Sequence, residues 1–282
     1  MNIRSRSLPE GWYPSSEEGI RDFICKIPNE EDRERDRKNI LAAMVPHAGW
    51  EFCGAMIART MKRMARNLDS VVILGGHNPP GGRLVCYNED AWDFPTARLH
   101  RDAEISDFVN LELSDKYEFV AEGSADNTVE VVLSMAAALL PEIKWEAWRV
   151  PSDERSLSFG RVLAKGVKKT DKRVAVIGST DLTHYGPNYS FMPKESRSNP
   201  HEWVKKRDYK LLRLLANCDG IGALEAANNQ MSACSAGGAV GAMEYARALG
   251  SKSGTVLDYS TSSDSYPSPS FVAYGSIIWE VA

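Results

Sequence analysis

Apolar residues along the chain fall into two alternating rhythms. Short runs rich in β-branched residues read as buried strands at 40–45 (ILAAMV), 71–74, 83–87, 145–150, 174–177, 255–259 and 271–279. Between them, apolar positions recur at three- and four-residue spacing, which predicts helices over 16–27, 54–67, 102–112, 128–140, 156–168, 201–216, 220–228 and 238–249. Strands that are apolar on both sides, separated by helices, predict a sheet covered on both faces. The expected fold is α/β: one domain over residues 1–282, with a mostly parallel or mixed central sheet and helices on both faces.

Two stretches interrupt the rhythm. Residues 29–39 are a dense mixed-charge run, read as a solvated turn or helix end. Residues 185–200 are rich in Pro, Ser, Asn and Lys and follow a candidate catalytic motif, which leaves a lid open as a reading. Pro79-Pro80-Gly81-Gly82 is turn chemistry after a strand. None of these breaks reads as a linker between domains, and no internal repeat is visible.

Composition removes several classes. Apolar residues are 43% and charged residues 26%, as in soluble globular proteins. A formal net charge of −4, with no strongly basic stretch, argues against nucleic acid as a partner. The longest apolar run, 131–140, is interrupted by Ser134 and falls short of a membrane span. The N-terminus carries basic residues with no apolar core after them, so it does not read as a secretory signal. The five cysteines form no CxxC pair and are expected as reduced thiols, which points to the cytoplasm.

Chemistry gathers where strands end. The run ILAAMV leads into Pro46-His47, VVILGG leads into His77-Asn78, and VAVIG leads into Ser179-Thr180-Asp181-Leu182-Thr183-His184. Open α/β sheets bind ligands beyond the carboxyl ends of their strands. Three of the five histidines therefore meet at one rim if these strands are parallel neighbours. Neutral imidazole is a common metal ligand, although any one of these histidines alone also fits a hydrogen-bonded structural role. His100 and His201 lack the placement and read as surface residues.

Cys234 lies among small residues just before a helix, where the dipole favours thiolate; a buried inert cysteine fits equally well. Cys53 competes as a supporting thiol near His47, and Cys25, Cys86 and Cys218 read as core. Asp126 or Asn127 caps the helix that follows, and Glu130, one turn in, is a candidate to face the pocket. Asp181 and His184, three apart, keep a hydrolase in view, but no G-x-S-x-G elbow, G-x-G-x-x-G or Walker pattern is present. The small residues at 237–241 suggest a surface for a homo-oligomer.

Taken together, these motifs resemble the Memo family, which is similar in fold to the class III extradiol ring-cleavage dioxygenases. The resemblance rests on Gly11-Trp12-Tyr13-Pro14, on Val45-Pro46-His47-Ala48-Gly49-Trp50 with Gly54, on Leu74-Gly75-Gly76-His77, and on Ser179 to Gly186. It implies His47, His77 and Cys234 as metal ligands, with His184 and Asp181 beside the metal as catalytic groups. It also implies a class III extradiol dioxygenase-like fold and a redox enzyme using a small-molecule substrate and O₂. Iron(II) is the first choice of metal, ahead of copper or zinc. A non-catalytic metal-binding adaptor or carrier is the alternative, and a zinc-dependent hydrolase is a lesser one. Three positions depart from the family pattern: Cys53 stands for a usual serine, Asn127 for a usual histidine, and Gly76 for a common proline.

Overall fold

Alternate residues of the central strands point to opposite sides, and each side has its own helices. The computed structural model describes residues 1–28, 39–64, 67–114, 119–121 and 123–281. The charged run expected at 29–39 lies outside them, apart from Asn39. In chain order the elements are β1 (Ile3–Arg4), α1 (Glu17–Cys25), β2 (Ile40–Val45), α2 (Trp50–Arg63), β3 (Ser70–Gly75), β4 (Leu84–Cys86), β5 (Ala91–Asp93), β6 (Arg98–His100), α3 (Ala103–Leu113) and β7 (Phe119–Ala121). They continue with α4 (Asn127–Leu139), β8 (Lys144–Arg149), α5 (Arg155–Val167), β9 (Val174–Ser179), β10 (His184–Tyr185), α6 (Pro200–Ala216), α7 (Gly220–Gln230), α8 (Ala236–Ala248), β11 (Gly254–Thr261) and β12 (Phe271–Glu280). Among the described residues, no helix is long and apolar enough to cross a membrane.

The main sheet runs β10-β12-β2-β9-β3-β8-β4-β7, with β11 also paired to β12. Its centre, β2-β9-β3-β8, is parallel, while β12 joins β2 and β4 joins β8 antiparallel. The mixed α/β sheet flanked by helices is the architecture expected from the sequence. A separate small sheet, β1-β5-β6, lies outside this order.

Period-two alternation divides the core. Ala42 and Met44, Val72 and Leu74, and Val174 and Val176 pack with Phe159 and Leu163 of α5 and Val240 and Met243 of α8. Ala43 and Val45, Val71 and Ile73, and Ala175 and Ile177 pack with Met56 and Ile57 of α2 and Val131 and Leu133 of α4. Each such aliphatic side chain, fully buried, stabilises the fold by roughly 1.5–3 kcal/mol. With both faces covered, only the strand ends are left to carry chemistry.

The small residues of α8 are buried, which corrects the reading of 237–241 as a surface. A Cβ on Gly238 would lie 2.2 Å from the Leu74 carbonyl oxygen, and one on Gly237 would lie 2.4 Å from that of Pro151. Glycine is what allows α8 to approach the end of β3 this closely. Gly238→Ala is expected to force backbone apart and destabilise by about 1–3 kcal/mol. Urea unfolding checks this; an unchanged midpoint would refute the close approach.

Candidate metal centre

Three parallel neighbours, β2, β9 and β3, deliver their carboxyl ends to one rim, and the loops beyond them are tied together. Thr180 N–H donates to Val45 O at 2.9 Å, joining the exits of β9 and β2. Asp181 Oδ1 accepts from His47 N–H at 2.8 Å, and Asp181 O accepts from Cys234 N–H at 3.2 Å. Ser235 Oγ accepts from His77 N–H at 2.9 Å, and Ser235 N–H donates to Thr180 Oγ1 at 3.1 Å. His77 itself lies in the left-handed region at φ 55°, an uncommon conformation for a non-glycine residue. Gly76 leaves no room beside it: a Cβ there would come 2.3 Å from Ser235 Cβ.

His47, His77 and Cys234 are brought together, with their ligand atoms all within 4.8 Å of one another. Cys234 Sγ is 3.3 Å from His47 Nε2, and the two imidazole rings stand edge to face with centroids 5.0 Å apart. Ser179 Oγ lies 3.0 Å from His47 Nδ1 and holds that ring. Asp181, His184 and Cys234 form an overlapping second cluster. Asp181 Oδ2 sits 3.8 Å from His47 Nε2 and 3.9 Å from His184 Nε2. His184 Nε2 is buried with no hydrogen-bond partner among the described residues.

Burial sets the protonation states. It pushes His47 down to about 3 and holds His77 and His184 below the usual imidazole value, so near neutral pH the rings are uncharged. It pushes the Cys234 thiol up to about 12, with Asp181 adding to the rise. The helix N-terminus expected to favour thiolate is outweighed by desolvation. A cation among these donors would reverse that balance, because metal-bound thiols are deprotonated. Two neutral imidazoles, a thiol and an unpartnered imidazole nitrogen are a donor set that fits a transition metal or zinc.

Other expected residues separate clearly. Asp126 caps α4 through Thr128 N–H. Asn127 is at the site's edge, its Nδ2 donating to His47 O at 3.2 Å. Glu130 faces away from the pocket: it binds the N-terminal segment through Ser7, Leu8 and Tyr13. Cys53 is buried, its thiol donating to Ala48 O at 3.2 Å beside the His47 loop. Cys86 is buried, Cys218 is half-buried, and Cys25 is exposed, against the core role expected for it. His100 and His201 are exposed, as surface histidines should be.

His184 is aimed by a short element the sequence did not signal: β10 pairs with β12, His184 opposite Val272. Beneath it, buried Asp208 accepts from the Thr183 hydroxyl at 2.6 Å and from Tyr259 Oη–H at 2.9 Å. Burial raises Asp208 from 3.8 to about 7. A raised carboxyl stabilises the fold at low pH, and that contribution is lost as pH climbs from about 4 through 7. Between pH 5 and 8 the wild type is expected to lose roughly 2–4 kcal/mol more stability than Asp208→Asn. Urea midpoints at both pH values test this; parallel curves would contradict it.

Above the clustered donors opens a cleft of about 470 Å³, whose lining includes His77, His184, Cys234, Tyr189 and Met231. Tyr189 stands edge-on to His184 with ring centroids 4.9 Å apart. It belongs to the 185–200 stretch, so part of that stretch borders the site. Tyr189 and Met231 carry no motif, and sequence reasoning missed both. The signal available was chemical only: an aromatic in a polar loop and a methionine following a helix.

A mixed α/β sheet with a His/His/Cys cluster under a cleft at its parallel strand ends defines a protein with a candidate metal-binding pocket. The family model described as Memo-like protein matches residues 4–278, and the chain belongs to the Memo family. A MEMO1 family protein from Thermococcus onnurineus is 28% identical over 98% of this chain and 99% of its own. Another, from Desulfurococcus amylolyticus, is 30% identical over 80% of this chain and 77% of its own. Among solved structures, an uncharacterized protein from Escherichia coli K12 superposes with TM-score 0.49 at 11% identity, covering 84% of this chain and 99% of that one.

Proposed function

We propose that this chain is a metal-dependent redox enzyme, a non-haem iron(II) oxygenase or dioxygenase acting on a small molecule. The supporting observation is the convergence of His47, His77 and Cys234 within 4.8 Å at the base of a cleft, beside a buried and unpartnered His184 Nε2. In this reading His47, His77 and Cys234 would hold the metal, and iron(II) so bound would supply redox chemistry toward O₂. Ser179 fixes the His47 ring. His184, uncharged near neutral pH, takes or gives a proton at Nε2, and the Asp181 carboxylate 3.9 Å from that nitrogen favours its protonated form. Tyr189 narrows the approach to His184. The thiolate also suits copper or zinc.

The test has two parts. Anomalous scattering at the iron, copper and zinc edges identifies the metal in crystals of the protein as isolated. Oxygen uptake is then measured on anaerobically purified, iron-loaded protein with a panel of small molecules. Metal-dependent uptake abolished by His184→Ala supports the reading. A well-formed site that never turns over with any metal would refute it and favour a metal carrier or adaptor. A fully loaded zinc site without oxygen uptake would favour hydrolysis.

A further inference from the structure

Building on that reading, we propose that the molecule entering the cleft is uncharged and largely apolar at the end remote from the histidines, with no carboxylate, phosphate or ammonium group there. Among the described residues, none lining the cleft is Asp, Glu, Lys or Arg. Its walls include Pro79, Pro80, Leu182, Ala227, Met231 and Ala233. The side-chain amides that line it are turned toward backbone carbonyls. Asn78 Nδ2 donates to Arg83 O at 2.6 Å, and Asn228 Nδ2 donates to Ser152 O at 2.8 Å. Arg149 lies outside the lining, its Nε on Gly76 O at 2.9 Å and 3.3 Å from Asp126. A charged substituent brought in here would exchange water for a lining that offers no group of opposite sign.

The backbone gives an independent argument. Met231, at the C-cap of α7, sits in the left-handed region at φ 53° and ψ 40°. Glycine is the residue that takes this conformation freely. Here it holds an unbranched apolar side chain, 58% exposed, at the cleft. On the 185–200 stretch, Tyr189 also lines the cleft and the neighbouring Met192 is exposed; Ser190 between them has φ 52°. Strained backbone persists where function requires it, and here it presents an apolar lip.

Three compounds isolate the remote charge: 2-naphthol, 6-hydroxy-2-naphthoate and 6-(aminomethyl)-2-naphthol. They share the rings and the hydroxyl. Calorimetric titration of the protein as purified, and again after chelation, should show 2-naphthol binding at least roughly tenfold more tightly than either charged compound. The ¹³C-labelled methyl of Met231 should shift saturably with the same affinity. Met231→Gly identifies that resonance by its loss. It should lower naphthol affinity several-fold without lowering Tm, because glycine suits φ 53°. Equal or tighter binding of a charged compound would overturn the proposal. So would no binding of 2-naphthol, saturation that leaves Met231 unmoved, or undiminished affinity in Met231→Gly. The ranking of the three compounds does not depend on the metal or on oxygen uptake, so a failure here leaves the oxygenase reading intact, and the reverse holds.

Discussion

Cys234→Ser will leave the chain folded and weaken its hold on metal by at least about a hundredfold. Removing even a hydrogen-bond partner of a metal ligand typically costs 10–100-fold in affinity, and this change removes a proposed ligand itself. Sγ sits 3.3 Å from His47 Nε2, and a serine hydroxyl in its place stays protonated and binds soft cations poorly. The fold should survive because the local anchor is backbone: Cys234 N–H on Asp181 O, with Ser235 N–H on Thr180 Oγ1. Metal per chain after dialysis against a chelator is the measurement, with Cys53→Ser as the control. Cys53 donates to Ala48 O, outside the ligand cluster. Full occupancy in Cys234→Ser, or equal loss in the control, would sink the ligand assignment.

Glu130→Ala, away from the candidate metal centre, should destabilise the fold by roughly 3–5 kcal/mol. The side chain is fully buried. It accepts from the amides of Ser7 and Leu8 at 3.0 and 3.1 Å, from Tyr13 Oη–H at 2.9 Å, and from the Ser7 hydroxyl. Alanine leaves all of these donors inside without an acceptor, each at a desolvation cost. Glu130→Gln keeps one acceptor oxygen and should lose less. Because Trp12 O receives Trp50 N–H at the start of α2, hydrogen exchange at Leu8 and Trp50 should accelerate together. Urea unfolding with exchange at those amides reads both effects; a loss below 1 kcal/mol would show that the clasp is not a support.

Much of this architecture was legible before any coordinate. The strands announced themselves because residues such as Val72 and Ile73 are apolar toward both faces, which water-facing strands are not. The rim was legible because His47, His77 and His184 follow such strands, and β2, β9 and β3 prove to be parallel neighbours. Elements of two or three residues such as β10 and β5 show no period, so the strand that aims His184 gave no warning. Glu130 was misread because helical spacing gives a face but not what lies against it. The glycines of α8 looked like a surface because close backbone approach and exposure ask for the same small residues. Cys234 raised an expectation of thiolate from its place before a helix, but its depth decides the other way.

The bonds linking Asp181 to His47 and Cys234, and Ser235 to His77 and Thr180, are made entirely by the protein's own groups. Each of these links involves a backbone amide, so exchanging one ligand side chain leaves them in place. The entropy of gathering three distant segments is settled during folding. If the proposed site holds a metal, capture would be governed by how fast the ion sheds water and displaces the thiol proton, and little movement of the chain would be needed. At such a site one cation could replace another while the scaffold stays the same.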